Sequence, residues 1–361
     1  MYSLELDKKN IDRLDLYKKS KYFLSQKSNS KSSYWKEHAG FLNAKVSKDK
    51  LVVSGDSGFY IPPEKKPFLN LINKFKQLIT SPLILAHKIY NKFFKLPKLF
   101  SYKRAFDLVL NHDRVSDPDL SPFRINHLKW KNNRDLFLSS EAVRKDFEGW
   151  SKRKISEHIY LHYYYLNIIK DNLKGKKIKR ILEIGAGNGN FPSILFHHIA
   201  GVSLILIDLP EMVPVSFSYL STVFPKAKIL LPHEIGDDLN QNYDILLLTT
   251  DQLHIVKSDS IDLSINCHSF QEMPNLQITK YFSFIERVLK KGGYFFTANR
   301  LEKIPVSDKA FTEEQPDLPN RFHLYPWKKN ATVLVNEVSR FTRLVQLDGI
   351  GIRLEITKPI K

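Results

Sequence analysis

The chain has 361 residues, 42% of them hydrophobic, and a formal charge of +18 from 56 Lys and Arg against 38 Asp and Glu. That length allows two domains, or one with a large appendage. The single cysteine, Cys267, excludes an intramolecular disulfide, and no apolar run approaches the roughly 18 residues of a membrane-spanning helix. The first residues alternate charged and apolar side chains without the apolar core of a secretory leader, so a cytoplasmic protein is expected. The charge raises the question of polyanionic partners, against which stands a bland source, a Lys-, Asn- and Ile-rich code.

Residues 1 to about 60 read as irregular, with a polar, Ser-rich stretch at 27–38. Between Lys65 and Arg104 stand ten Lys or Arg and no Asp or Glu. Apolar residues there recur at helical spacing (Phe68, Leu71, Ile72, Phe75, Ile79), which predicts two amphipathic helices punctuated by Pro82 and Pro97. Such helices suit either an anionic lipid surface or an ordinary cap packed on its own core. Residues 1–150 are therefore read as a basic, mostly helical N-terminal region, and 151–361 as a second domain.

A helical pattern spans 139–176, with Gly175 as its stop. From there strands and helices alternate. Near-continuous apolar strands begin at Arg180, Val202, Tyr243 and Ile261, with a fifth at 294–300, and helices lie between them, the last over 276–293. This is the signature of a doubly wound parallel sheet. The end differs: 331–345 and 349–358 read as two strands with no helix between them, an antiparallel hairpin closing the sheet.

The first of these strands runs into Gly185-Ala186-Gly187-Asn188-Gly189 and then a helix. A glycine turn there lets the backbone approach a ligand, and the free amides of the helix start point at it. The spacing is G-x-G-x-G, with Asn190 after it, and it departs from the dinucleotide fingerprint G-x-G-x-x-G. Glu183, two residues before the first glycine, is adverse to a pyrophosphate and favourable to a ligand bearing an ammonium and a sulfonium. Asp208 ends the second strand, 19 residues after Gly189, where a carboxylate can hold ribose hydroxyls.

These residues and the order of elements resemble the class I S-adenosylmethionine-dependent methyltransferases. The resemblance implies a Rossmann-like α/β sheet, parallel with a C-terminal antiparallel hairpin, flanked by helices and preceded by the mostly helical N-terminal region. It implies S-adenosylmethionine as cofactor, bound by Glu183, Gly185, Ala186, Gly187, Gly189, Asp208 and Leu209. For the adenine it points to Asp251 and Gln252 at the end of the third strand, Thr249 and Thr250 being the alternative strand ends. Asn266, at the end of the fourth strand, joins the same set. No metal centre is expected.

The acceptor side rests on the loop after the fourth strand, "INCHSFQEMPN". A sugar hydroxyl is a poor nucleophile and gains from a base, for which His268 is suited, though it also reads as a loop residue holding backbone geometry. Glu272 is open between base, partner of His268 and helix cap. His323, in "NRFHLYPWKKN" with Arg321, Tyr325 and Trp327, is a second candidate base. The aromatic residues there suit stacking on a sugar ring or packing on the sheet edge. Cys267 lacks the Pro-Cys context of covalent pyrimidine methylation, and no N/D-P-P-Y loop follows the strand. "SINCHSFQEM", "LIDLPEM" and "SSYWKEH" resemble bacterial sugar O-methyltransferases of surface-polysaccharide gene sets. The expectation is thus methyl transfer to a saccharide hydroxyl, free or carrier-linked, at a cytoplasmic site with a peripheral inner-membrane position as an extension. An RNA-directed methyltransferase using the basic N-terminal surface and a non-catalytic cofactor-binding scaffold are the alternatives.

Overall fold

The computed structural model describes residues 2–24, 43–47, 50–54, 140–235, 241–303, 320–339 and 349–358. The basic segment 65–104, the Ser-rich stretch at 27–38 and most of 301–319 lie outside the described residues.

The apolar runs after residue 179 become strands whose alternate side chains enter two different cores. In β4 (Arg180–Ile184), Ile181 faces one core while Leu182 and Ile184 face the other. In β5 (Ser203–Asp208), which is paired parallel to it, Leu204 and Leu206 oppose Ile205 and Ile207 in the same way. A strand buried on both faces has to be apolar throughout, which is why these segments lack the polar alternation of a half-exposed strand.

The N-terminal portion contains more regular structure than its sequence suggests. Strands β1 (Tyr2–Glu5), β2 (Asn43–Ser47) and β3 (Lys50–Ser54) form an antiparallel sheet in the order β1-β3-β2. Helix α1 (Lys8–Lys19) starts at Asp7, whose carboxylate accepts the Asn10 N–H at 2.7 Å. It buries only Ile11, Leu14 and Tyr17. That stripe is too sparse to stand out among the surrounding charges, so 1–60 read as irregular. A short helix α2 (Lys21–Leu24) follows.

The helical stretch 139–176 divides into α3 (Ser140–Ser151) and α4 (Glu157–Asn172), and Gly175 adopts φ +77° beyond the second, as its stop position requires. Val143 and Phe147 of α3 enter the same core as α4, so the boundary drawn after 150 falls at the end of a helix that packs on the sheet domain.

The main sheet is completed by β6 (Ile229–Leu230), β7 (Ile245–Thr249), β8 (Ile261–Cys267), β9 (Leu289–Arg300), β12 (Thr332–Val338) and β13 (Ile350–Ile356). A separate antiparallel pair joins β10 (Glu302–Lys303) to β11 (Asn320–Arg321). The order in the main sheet is β12-β13-β9-β8-β4-β5-β7-β6. Pairing is parallel from β9 through to β6, and β13 runs antiparallel between β9 and β12. This is the expected parallel sheet closed by a C-terminal hairpin, with β6 as an added edge strand. Helices α3, α4, α5 (Asn190–His198) and α6 (Val213–Val223) belong to one core, and α7 (Asn275–Val288) to the other. Helix α7 stops at Val288 and β9 begins at once, so "LKKGG", expected as the helix end, is strand. Gly292, at φ +74°, provides the irregularity that allows this.

Candidate functional site

Because β4, β5 and β8 are parallel and adjacent, their C-terminal ends open on one edge, and the residues that follow them meet there. After β4, Gly185, Gly187 and Gly189 all take positive φ (77°, 58° and 86°), and Gly189 is the residue before α5. The turn is pressed against the loop after β8: a Cβ on Gly185 would lie 2.1 Å from Ser269 Oγ. Ala186 is buried, and its carbonyl accepts the Gly189 N–H at 3.0 Å.

Asp208, at the end of β5, ties this turn to the next strand. Its Oδ2 accepts the Gly187 N–H at 2.6 Å and its Oδ1 the Leu209 N–H at 2.7 Å. Burial pushes its carboxyl up to about 7, against the pull of those two N–H groups and with the help of the Glu211 and Glu272 charges. Glu183 is 2% exposed, and its Oε2 has no hydrogen-bond partner. Burial, then the charge of Asp208, raises its carboxyl well above the usual range. Asp208 thus feels the charges of Glu211 and Glu272 and in turn acts on Glu183, an acidic group in a chain whose net charge is +18. An orphaned buried carboxylate oxygen asks for a cationic donor. The donor set fits S-adenosylmethionine: an ammonium for Glu183, hydroxyls for the Asp208 region, and a positively charged sulfur favoured by the acidic surroundings.

Glu211 is a residue that sequence reading passed over. It follows the Asp208-Leu209-Pro210 turn, and its charge raises the carboxyl of Asp208. Tyr17 was also missed: its hydroxyl donates to the Pro210 carbonyl at 3.1 Å, bringing α1 against the turn after β5. Burial and the charges of Glu211 and Asp208 raise its phenol above the ordinary value. Nothing in the irregular-looking N-terminal sequence announced this contact.

Asn266 is placed as a brace. Its Nδ2 donates to the Ile184 carbonyl at 2.9 Å, and its Oδ1 accepts the Phe270 N–H at 3.1 Å and Asn299 Nδ2 at 2.9 Å. It thereby fixes the end of β4 to the loop after β8. Asp251 and Gln252 do not end the third strand: β7 stops at Thr249 and a 3-10 helix occupies Thr250–Ile255. The Gln252 side chain turns inward, accepting the Thr249 N–H at 3.1 Å and donating to the Pro232 carbonyl at 3.0 Å. Asp251 stays exposed beside it.

On the acceptor side, His268 is half-buried and holds φ +60°, a strained value for a non-glycine residue. Its N–H donates to the Ala298 carbonyl at 2.8 Å, and its ring Nε2 lies 2.9 Å from the Tyr165 hydroxyl of α4. Burial, with the neighbouring His158 and Arg300 charges, lowers its ring to about 4, and a hydrogen bond to Gln271 opposes that shift. The imidazole is neutral at pH 7 and able to take a proton. Tyr165, inside the apolar run "HYYYL", gave no sequence signal for this contact. The same helix carries His158 and His162 one turn apart, a spacing that the expectation of no metal centre overlooked; His162 is stacked on Phe191.

Glu272 ends a 3-10 turn (Phe270–Glu272) on the Asp208 side of this loop. His323 is exposed on another 3-10 turn (Phe322–Leu324), and no described hydrogen bond or ring contact joins it to His268. The nearby rings are core. Tyr325 packs on Phe270, Phe282 and Phe322, and its hydroxyl donates to Asn320 Oδ1 at 2.9 Å. The indole N–H of Trp327 donates to the Phe322 carbonyl at 2.9 Å, and the Arg353 guanidinium lies 4.5 Å from its ring centroid. Of the two expected uses for these aromatics, the structure shows packing. Cys267 is buried, and burial with the Glu183 charge raises its thiol far above the reactive range.

The sequence matches no protein-family model and no curated protein. Among solved structures, it is similar to phosphoethanolamine N-methyltransferase 2 of Haemonchus contortus in complex with S-adenosyl-L-methionine. That match has 20% identity and a TM-score of 0.30, and covers 40% of this chain and 30% of that one. A SAM-dependent methyltransferase of Aquifex aeolicus is similar at 14% identity and a TM-score of 0.34, over 53% of this chain and 88% of that one. An arsenic(III) S-adenosylmethionine methyltransferase of Chlamydomonas reinhardtii matches at 15% identity and a TM-score of 0.33, over 51% and 65%.

Proposed function

We propose that this chain is an S-adenosylmethionine-dependent O-methyltransferase whose acceptor is a saccharide hydroxyl, in surface-polysaccharide synthesis. One observation carries the cofactor: Glu183, 2% exposed with an unpartnered Oε2, within reach of the charge of Asp208. A dinucleotide pyrophosphate is repelled by the ionised form of these carboxyls, whereas an ammonium and a sulfonium stabilise that form.

Bound there, S-adenosylmethionine supplies a methyl group on a positively charged sulfur. The chain's part is alignment and proton removal. Glu183 would hold the ammonium, and Asp208, which positions the glycine turn through Gly187, would serve the ribose hydroxyls. His268, neutral and 2.9 Å from the Tyr165 hydroxyl at Nε2, would take the acceptor hydroxyl's proton at that nitrogen, the methyl passing to the oxygen and the bonding pair staying on sulfur. Support for the saccharide is the likeness of "SINCHSFQEM" to sugar O-methyltransferases together with a neutral imidazole at the end of β8, although burial makes that ring a weaker base than the sequence led one to expect. A peripheral contact of the 65–104 segment with anionic membrane belongs to the same proposal.

Calorimetry with S-adenosylmethionine tests the cofactor: the native chain should bind one equivalent and Glu183→Gln far more weakly, and equal binding by both would refute the assignment. Mass spectrometry of surface glycans from cells lacking the protein tests the acceptor. Loss of one methyl group's mass from a single sugar is expected. Unchanged glycans with altered RNA methylation would overturn the saccharide reading.

A further inference from the structure

Away from the glycine turn, at the opposite end of α5, Asp146 of α3 meets His197 and His198. One ligand atom from each lies within 4.8 Å of the others. Asp146 Oδ2 and His198 Nε2 are 3.1 Å apart. The pair is hydrogen-bonded; in a tetrahedral zinc site with bonds of about 2.0–2.1 Å neighbouring ligand atoms stand roughly 3.3 Å apart, so an ion that displaces this proton needs little movement of either side chain. The two histidines are consecutive, yet their rings meet edge to face at 4.7 Å. Helix α5 ends at His198, and the chain turns extended at Ile199.

The surroundings hold the ligands in place. The Tyr163 hydroxyl of α4 donates to Asp146 Oδ2 at 2.5 Å, and Trp150 Nε1–H reaches the same oxygen at 3.2 Å. The Trp150 indole stacks on His197, with centroids 4.5 Å apart and planes 12° apart, which fixes that ring's orientation. Carboxylate and imidazole ligands oriented by outer hydrogen bonds and by packing are how protein metal sites are made. His197 is exposed, so the group is reachable from solvent.

The geometry points to a binding site for a zinc-class divalent cation formed by Asp146, His197 and His198, with a fourth position left to water. Such an ion fastens α3 to α5, the helix that begins at the glycine turn. It takes no part in methyl transfer, so its existence does not depend on the proposed function.

The test uses the full chain, freed of metal by a chelator and titrated with Zn²⁺ by calorimetry and with Co²⁺ by visible absorption. One equivalent of Zn²⁺ is expected, with a tetrahedral Co²⁺ band that Zn²⁺ bleaches and a melting temperature that rises with added Zn²⁺. His197→Ala removes an exposed ligand and should weaken Zn²⁺ binding more than about tenfold while the chain stays folded by circular dichroism. His198→Asn, which retains a polar group, should do the same. Absence of stoichiometric binding by the native chain, or unchanged affinity in His197→Ala, would overturn the site.

Discussion

The Asp208 carboxylate reaches across from the end of β5 to accept the Gly187 N–H at 2.6 Å, so the acid and the glycine turn are one unit before any ligand arrives. Asp208→Asn keeps the shape but turns one acceptor into a donor facing an N–H. The expected result is at least about tenfold weaker S-adenosylmethionine binding by calorimetry, equivalent to about 1.4 kcal/mol, with the fold intact by circular dichroism. Undiminished binding would show that Asp208 serves the turn alone.

The same carboxyl makes binding depend on pH. Its folded value of about 7 lies above the ordinary value of about 3.9, so between these two the folded chain holds a proton that the unfolded chain has released. Stability without ligand therefore falls as pH rises from about 4 to about 7. A cationic ligand favours the ionised carboxylate, so affinity should climb as pH rises through 7. Calorimetry near pH 6 in buffers of different ionisation enthalpy should show proton release on binding; proton uptake would contradict the scheme.

Gly185→Ala is predicted to be among the most damaging small substitutions. The new Cβ would sit 2.1 Å from Ser269 Oγ, on a residue with φ +77°. The left-handed backbone alone costs about 1–2 kcal/mol, and the collision adds to it. Adding Ser269→Gly should recover the collision part but leave the backbone part. Thermal or urea unfolding of both single variants and the double variant measures the coupling. Strict additivity would mean that the two residues do not press on each other.

His268→Ala should lower the methyl-transfer rate by about 10²–10⁴ while leaving S-adenosylmethionine affinity unchanged. With the ring near 4, the acid limb of the rate profile should fall near pH 4, well below the ordinary imidazole value. The sign for stability follows: the unfolded histidine takes up a proton near 6.5 and the folded one only near 4, so stability is lost as pH falls across that interval. Tyr165→Phe removes the hydroxyl 2.9 Å from Nε2 and tests whether it positions the ring. A positioning role predicts an altered rate profile with unchanged cofactor binding.

Sequence periodicity made the sheet legible because its strands are buried on both faces and read as unbroken apolar runs. Glu183, Gly185, Gly187, Gly189 and Asp208 were visible because strand ends and glycine turns are local features. Contacts made across the fold were not: Tyr165 looked like one more apolar helix residue, and Tyr17 lay in a segment with a buried stripe of only Ile11, Leu14 and Tyr17. Gln252 and Asn266 show a structural use that the sequence did not reveal. Polar side chains near a strand end were read for a ligand, and both also satisfy buried backbone groups. Asp146 and the His197-His198 pair are 51 residues apart at the nearer histidine, and only the packing of α3 against α5 brings them together.

How firmly α1 is held to the sheet domain turns on Arg13. Its guanidinium donates Nε–H to Glu234 Oε1 at 2.6 Å and Nη2–H to Glu234 Oε2 at 2.7 Å. The same nitrogen reaches the Ile229 carbonyl at 2.5 Å, and the guanidinium lies over Phe217 at 4.9 Å. A forked pair with side chains only 22% and 23% exposed exceeds an ordinary surface bridge. The two truncations are unequal. Arg13→Ala leaves Glu234 with the Leu231 N–H at 2.9 Å, whereas Glu234→Ala strips that donor and the guanidinium together. Arg13→Ala should therefore cost about 1–3 kcal/mol, Glu234→Ala somewhat more, and the double variant less than their sum. Partial burial works to raise the Glu234 carboxyl, but Arg13 and the Leu231 N–H hold it below the usual range, so this contribution is lost as pH falls through that lowered value. Hydrogen exchange at amides 11–19 reports the docking. Protection unchanged in Arg13→Ala would mean that the apolar stripe and the Tyr17 hydrogen bond to Pro210 suffice to hold the helix against the turn after β5.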